Sequence, residues 1–453
     1  MRDVPIPFEQ QNFACELEQL EDAGRDTTSV RAEFERLKGA DMTDPAVRAA
    51  AGDFLLRAQE LPIVEDYPYD EPSELEGINR ERPNGRRRFK LGLSDEELAD
   101  RLYGAWLGRC AGCLLGKPVE GIRSDQLWPY LEATHQFPLR AYISPDAPDS
   151  TFRRCGIDAR RRERLSIPFD AGCMPEDDDT NYTVTGLALI KQHGRDFSPE
   201  DVGDFWLDNI PYHHVCTAEN IAYRNMVNAI KPPRSATHMN PCREWIGAQI
   251  RADFFGYVAA GRPALAAEFA WRDASISHVK NGIYGEMWVA GMLAAAPALD
   301  DPAEVIEVGL AQIPENCRLT EAVRGVMDAY REGLPAEEME TDIHLRWDEA
   351  NRHHWVHTIS NAEIVAMGLL WGENDFGEAV GTAVQACFDT DCNGATVGSI
   401  VGMMLGAANL PSEWIAPLND TLETGVAGYH RVRISDLAAE TLRLHRAVVG
   451  GGL

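Results

Sequence analysis

Residues 387–406 read CFDTDCNGATVGSIVGMMLG. Behind Asp389, Asp391 and Cys392 come Gly394, Gly398, Gly402 and Gly406, a glycine at every fourth position. The same spacing recurs far upstream at Gly104, Gly108, Gly112 and Gly116 in GAWLGRCAGCLLG, residues 104–116. On a helix each set makes one bare stripe. Glycine costs about 1 kcal/mol per helix-interior position relative to alanine, so four in one stripe need a compensating gain. Close approach of two helices along their i, i+4 ridges supplies it. Membrane helices use the same spacing, but these segments are too short to span and sit beside charge. Glu120 follows the first stripe, whereas Asp389 and Asp391 precede the second. If the two helices pack antiparallel, these acidic ends meet. The two aspartates are then either helix caps or metal ligands, since aspartate is also a good N-cap.

Helical periodicity extends through most of the chain. TDPAVRAAAGDFLLRAQEL, residues 43–61, places Thr43 or Asp44 ahead of Pro45 and repeats apolar residues at spacings of three and four, the signature of a capped helix. Residues 62–92 mix proline, glycine and charge with little period and read as a linker or surface loop. Ser94 and Glu97 then form a capping-box pattern that opens the helix of the first stripe. The expected organisation is an N-terminal helical extension over 1–92 and a main domain over 93–453. Within that domain, residues 125–172 carry five prolines and the arginines 153, 154, 160, 161, 162 and 164, and read as a loop or lid. Its basic patch is either a solvated face or an attractor for a phosphorylated ligand. Further helical stretches follow, from TVTGLALIKQHG to SDLAAETLRLHRAVV. No period-two series stands out, so the expected fold class is all-α.

Lys and Arg number 43 against 72 Asp and Glu, a formal charge of −29. So acidic a surface repels nucleic-acid backbone and anionic membrane, which argues against general nucleic-acid binding. The first residues, MRDVPIPFEQ, lack the basic and apolar regions of a signal peptide, and no apolar run is long enough to cross a bilayer. The expected location is cytoplasmic. Ten scattered cysteines fit reduced thiols better than a disulfide framework, and the single CxxC, Cys110 and Cys113, reads as small-residue helix packing.

A third acidic cluster is MPEDDDTNYT, with Glu176, Asp177, Asp178 and Asp179 ahead of a helix. Beside Glu120 and the two later aspartates it would concentrate more negative charge than a protein can bury without cations. Oxygen donors of this kind select hard cations, Mg²⁺ or Mn²⁺ before zinc, and shared carboxylates suit two ions about 4 Å apart.

Three segments in this order, the first glycine stripe running into LGKPVEG, then EDDDTN, then DTDCNGATVGSIVG, resemble those of the ADP-ribosylglycohydrolase family, which includes the glycohydrolase that reactivates dinitrogenase reductase. The resemblance covers about residues 96–450 and leaves the extension outside. It implies an orthogonal all-α multi-helix bundle, a centre of two Mg²⁺ or Mn²⁺ ions in a cleft, and cleavage of the N- or O-glycosidic bond at C1″ of an ADP-ribose conjugate. The family's paired aspartates before a threonine fall on Asp178 and Asp179, its DTD on Asp389, Thr390 and Asp391, and its acid beyond the glycine helix on Glu120. Two positions depart. A hydroxyl ligand ahead of the aspartate pair is here Asp177, and the metal-binding threonine after DTD is here Cys392, whose sulfur is a poor partner for Mg²⁺. Water or Asn393 then fills that place, or the thiol faces away. The implied metal set is Asp177, Asp178, Asp179, Asp389 and Asp391 with Cys392 at the hydroxyl position. The implied catalytic set is Glu120, as general base or leaving-group assistant, with Asp178 and Asp391.

SISHVKNGIYGE, residues 275–286, resembles the family's middle segment and implies His278, Asn281 and Gly282 as ligand contacts, although a lone histidine is more often structural. In NRHHWVHTISNAE, His353 and His357 have i, i+4 spacing without the glutamate of a zinc HExxH motif. Trp355 and Asn361 read instead as a stacking face and a hydrogen-bonder beside a base, and Tyr182 as a residue that narrows the cleft. The alternatives to ADP-ribosyl hydrolysis are cleavage of a smaller N-riboside or nucleoside-like compound, and a non-catalytic binding or structural role on the same fold. The oligomeric state is open.

Overall fold

The computed structural model describes residues 10–450. The first nine residues, which carry most of the segment read above for a signal peptide, and the last three lie outside the described residues.

Helix Asp95–Gly116 opens on the capping box its sequence predicts: Ser94 Oγ accepts from the Glu97 amide at 3.2 Å, and the Glu97 carboxylate accepts from the Ser94 amide at 2.7 Å. It runs antiparallel against helix Thr390–Leu405, with Gly104 facing Gly402, Gly108 facing Gly398, Gly112 facing Gly394 and Gly116 facing Thr390. A Cβ at Gly108 or Gly112 would fall well inside the van der Waals shell of the opposing carbonyl oxygen. The two backbones touch, so any side chain here would part them. Thr390 Oγ1 locks the acidic end by donating to the Gly116 carbonyl at 2.9 Å.

The second of these ridge helices is buried along nearly its whole length, and helices Lys280–Ala295, Thr358–Trp371 and Phe376–Gln385 surround it. Those first two neighbours are themselves buried along nearly their whole length, and each carries buried polar residues, Asn281 and Glu286 on the first and Asn361 and Glu363 on the second. The class is all-α. Among the described residues the only strands are Thr421–Glu423 and Arg431–Arg433, an antiparallel ribbon with Leu422 opposite Val432. No helix among the described residues is long and apolar enough to cross a membrane, and all ten cysteines are free.

Between residues 10 and 81 lie helices Glu16–Asp22, Arg31–Lys38, Pro45–Ala58 and Leu75–Glu81. Asp44 caps the third, accepting from the Ala46 amide at 2.8 Å. Phe13, Phe34 and Phe54 stack into a small apolar cluster separate from the main core, with ring centroids 5.3–5.9 Å apart. Charged contacts join this layer to the rest: Glu16 to Arg243 at 2.7 Å, Asp22 to His353 at 2.9 Å and Glu71 to Arg318 at 3.0 Å. The segment read as linker carries helix Leu75–Glu81, which buries Ile78 and is too short to show a period. Residues 125–172 likewise hold helices Ser124–Ala133, Asp149–Arg154, Arg161–Leu165 and Ile167–Asp170, with Leu127, Tyr130 and Phe152 buried.

Candidate metal centre

The acidic loop is aimed from behind. Met174 joins the ribbon, donating to the Thr421 carbonyl and accepting from the Glu423 amide, each at 2.9 Å. Three residues later Asp177 caps helix Asp178–His193, its Oδ1 accepting from the Asp179 amide at 3.0 Å and its Oδ2 paired with Lys117 Nζ at 2.6 Å. Asp179 is fully buried. Its carbonyl and Oδ1 accept from Arg109 Nη2 at 2.7 and 3.3 Å, and Arg109 also pairs with Asp253 at 2.8 Å.

The opposing side is set by a turn in which Cys387 and Phe388 both take positive φ, 63° and 57°. Residues of this bulk reach that region only under constraint from their surroundings. Asn361 holds the turn: its Oδ1 accepts from the Asp389 amide at 3.2 Å and from Asn393 Nδ2 at 2.8 Å. Asp389 occupies the cap position of the second ridge helix, yet its carboxylate makes no capping hydrogen bond. Its side chain is engaged instead with its neighbours in the cluster, Asp391 and Cys392.

Donor atoms of Asp179, Asp391 and Cys392 lie within 4.8 Å of one another, and so do those of Cys113, Asp177 and Asp179. Asp179 Oδ2 and Asp391 Oδ1 are buried without a hydrogen-bond partner. Asp178 is half-buried and the Glu120 side chain 40% exposed, so these two face the opening. Burial, and then the charge of Asp177, pushes the carboxyl groups of Asp178 and Asp179 well above the ordinary range, with Arg109 opposing at Asp179. Burial and then Glu120 do the same to Asp391, and burial raises Asp389 to about 6. Burial and Asp179 keep the Cys392 thiol protonated. Six carboxylates thus meet three cationic side chains, Lys117, Arg109 and Arg164, and Arg109 is shared with Asp253. Protons or cations must relieve the excess. Orphaned carboxylate oxygens fit a hard divalent ion, whereas a protonated thiol does not.

The basic segment reaches the same opening. Arg164 Nη2 donates to the Lys117 carbonyl at 3.0 Å and approaches Glu120 Oε2 at 3.4 Å, while Arg161 donates to the Glu120 carbonyl at 3.1 Å. Tyr182 is buried behind Asp178, packed on Trp206 and on the Arg251 guanidinium, with its hydroxyl unpartnered.

Other predicted contacts are placed elsewhere. Both amide groups of Asn361 are spent within the protein, Nδ2 on the carbonyls of Trp355 and His357 and Oδ1 on the DTD turn. It therefore positions the turn and has no donor or acceptor left for a base. Trp355, half-buried, gives its carbonyl to Asn361. His278, Asn281 and Gly282 are fully buried. Asn281 bonds Glu244 at 2.9 Å and Glu71 of the N-terminal layer at 2.8 Å, and a Cβ on Gly282 would strike the Arg243 carbonyl. His278 is held neutral by burial and then by Arg251. This trio is a packing junction under the N-terminal helices. His353 and His357 point their Nε2 atoms at Asp22, but the Nδ1 of each accepts an N–H, from Trp245 at 3.0 Å and Ile359 at 3.1 Å. Each Nε2 therefore carries the proton, which excludes it as a metal donor in this tautomer.

Arg109, Cys113 and Lys117 are the site residues that sequence reading missed. Arg109 had a signal, since it is the only charged residue between Arg101 and Lys117.

The ADP-ribosylglycohydrolase family model matches residues 94–449. Among solved structures the chain is similar to one described as an ADP-ribosylglycohydrolase-related protein complex, at 19% identity and a TM-score of 0.51 over 78% of this chain and 99% of that one. No curated protein matches. The family match begins at the Ser94 cap and takes in both ridges and the whole acidic cluster, and on that span the chain belongs to the ADP-ribosylglycohydrolase family of glycoside hydrolases.

Proposed function

We propose that the protein is a cytoplasmic hydrolase of ADP-ribosyl conjugates that works with two Mg²⁺ or Mn²⁺ ions. The observation that carries this is the meeting of Asp391, at the start of the second ridge helix, with Asp179, held by Arg109 of the first, with an unpartnered buried oxygen on each. Asp177, Asp178 and Asp179 would hold the ions from one side, and Asp389 and Asp391 from the other. When bound, such ions supply Lewis-acid orientation of water and ribose hydroxyls. Lys117 and Arg109 restrain Asp177 and Asp179, so the donors are positioned before substrate arrives. Glu120, at the opening, accepts a proton from the attacking water. The water oxygen bonds to C1″, the glycosidic bond breaks through an oxocarbenium-like state, and the leaving atom takes the bonding pair and then a proton. Arg164 steadies the Glu120 carboxylate between turnovers.

Hydrolysis of ADP-ribosyl-arginine, ADP-ribosyl-serine, O-acetyl-ADP-ribose and simple nucleosides tests this, each with Mg²⁺, Mn²⁺ or EDTA. At least one ADP-ribosyl compound is expected to turn over, to stop with EDTA, and to fall at least about 100-fold in Asp391→Asn. Turnover indifferent to both EDTA and Asp391→Asn overturns the metal reading. Turnover of nucleosides alone replaces the substrate class.

A further inference from the structure

The residues before the family match include the short helix Gln10–Phe13, which walls a cavity of about 320 Å³. Gln11 and Asn12 form one side. Cys216, Thr217 and Asn220 at the start of helix Thr217–Val227 form another, with Arg224 and Arg352 completing the polar lining. The cavity adjoins the metal centre, because His214 contacts Glu176, one residue before Asp177, and Asp178 is the charge that most perturbs the Cys216 thiol.

Its chemistry suits an anion. Neither Arg224 nor Arg352 forms an ion pair among the described residues. Arg224 is held by the His238 and Met239 carbonyls, while Arg352 donates to Gln11 Oε1 at 3.1 Å, lies over the Trp245 ring and has a buried Nε without a partner. In a chain of charge −29, two arginines left unneutralised in one cavity are a selective feature. Helix Thr217–Val227 begins there without a side-chain cap from Cys216, so the Thr217 and Ala218 N–H groups stand at its positive dipole end. The acid of that turn, Glu219, gives one oxygen to Arg251 at 2.7 Å, and its carboxylate also accepts from its own amide and from the Thr217 hydroxyl at 3.2 Å, leaving the two arginines as the main anion-binding groups. Asn12 is only 7% exposed, and its Oδ1 has no protein partner. Such a buried amide is satisfied by a ligand or by water.

We propose that this cavity receives the phosphate or diphosphate group of the substrate, and that the N-terminal extension, through Gln11 and Asn12, is part of the substrate site. The proposal rests on the hydrolase reading above and adds the anchor for the part of the substrate that does not react. Arg352 pairs with the phosphate oxygens and the Thr217 and Ala218 N–H groups donate to them, while the extension closes the far wall.

The test is calorimetric titration of ADP-ribose, and separately of Mn²⁺, into full-length wild type, Arg352→Gln, Arg352→Lys and Asn12→Ala, with unfolding temperatures recorded for each. Mn²⁺ affinity is expected to be unchanged in all four. ADP-ribose binding to the Mn²⁺-loaded protein is expected to weaken at least tenfold in Arg352→Gln, less in Arg352→Lys, and severalfold in Asn12→Ala, which carries the test should Arg352→Gln unfold. ADP-ribose affinity within twofold of wild type in both Arg352→Gln and Asn12→Ala overturns the subsite alone. A wild type that takes up Mn²⁺ but not ADP-ribose overturns the subsite and the substrate class together, and one that takes up no Mn²⁺ overturns the metal reading.

Discussion

Cys392 lies within reach of Asp179 and Asp391, at a position where the family pattern carries a hydroxyl. Its thiol is held protonated by burial and by the neighbouring acids, so it would meet a hard cation bound there as a neutral sulfur, a weak donor for Mg²⁺. Exchanging sulfur for oxygen at the same size should change the metal preference before it changes the fold. Cys392→Ser is expected to tighten Mg²⁺ binding by about three- to tenfold, and to weaken Cd²⁺, which favours sulfur. Calorimetry with the two metals reads both changes. Identical affinities for both metals in variant and wild type would mean that Cys392 takes no part in coordination.

The ridge pair is the element on which the centre depends, because its contact sets how far Asp391 stands from Asp179. Gly112→Ala places a methyl against the Gly394 carbonyl, a backbone atom with no room to move. Overpacking of this kind costs about 1–3 kcal/mol, and parting the helices should also lower Mn²⁺ affinity. Gly325, in helix Arg318–Arg331, has open space at its Cβ position, so Gly325→Ala should raise stability by up to about 1 kcal/mol with no effect on metal. Thermal unfolding with and without Mn²⁺ distinguishes the two variants, and equal responses would deny the ridges their role. These ridges were legible in the sequence because a four-residue glycine period has few other causes, and the antiparallel meeting of Glu120 with the DTD turn followed once the pairing was known. The ribbon behind Met174 was not legible, since strands of three residues are too short to alternate. Nor was the engagement of Asn281 by Glu71, 210 positions apart: a local pattern carries no information about which distant layer covers a segment. The likeness of residues 275–286 to a family segment therefore predicted ligand contact where this chain has buried packing.

At the scale of the whole molecule, clustered acids and a net charge of −29 couple folding to both pH and metal. Asp389, raised to about 6 from an ordinary value of 3.8, binds a proton in the folded state that the unfolded chain has already released. Between about pH 4 and 6 the folded state thus holds more protons, and stability without metal falls as pH rises through that window. Asp178, Asp179 and Asp391, shifted in the same direction, carry the loss to higher pH. Divalent ions compete with those protons, so their stabilising effect grows as the protons leave. His357 is lowered to about 3 by burial and then by His353. It weakens the fold as pH falls below the ordinary histidine range, but it does so with or without metal and cancels from the difference. The gap in unfolding temperature between Mn²⁺ and EDTA is accordingly expected to be wider at pH 7.5 than at pH 5, and wider in wild type than in Asp391→Asn at the higher pH. Scanning calorimetry at the two pH values measures it. A gap that does not change with pH would mean that the protons held by these carboxylates and the ions they are proposed to bind do not compete for the same oxygens.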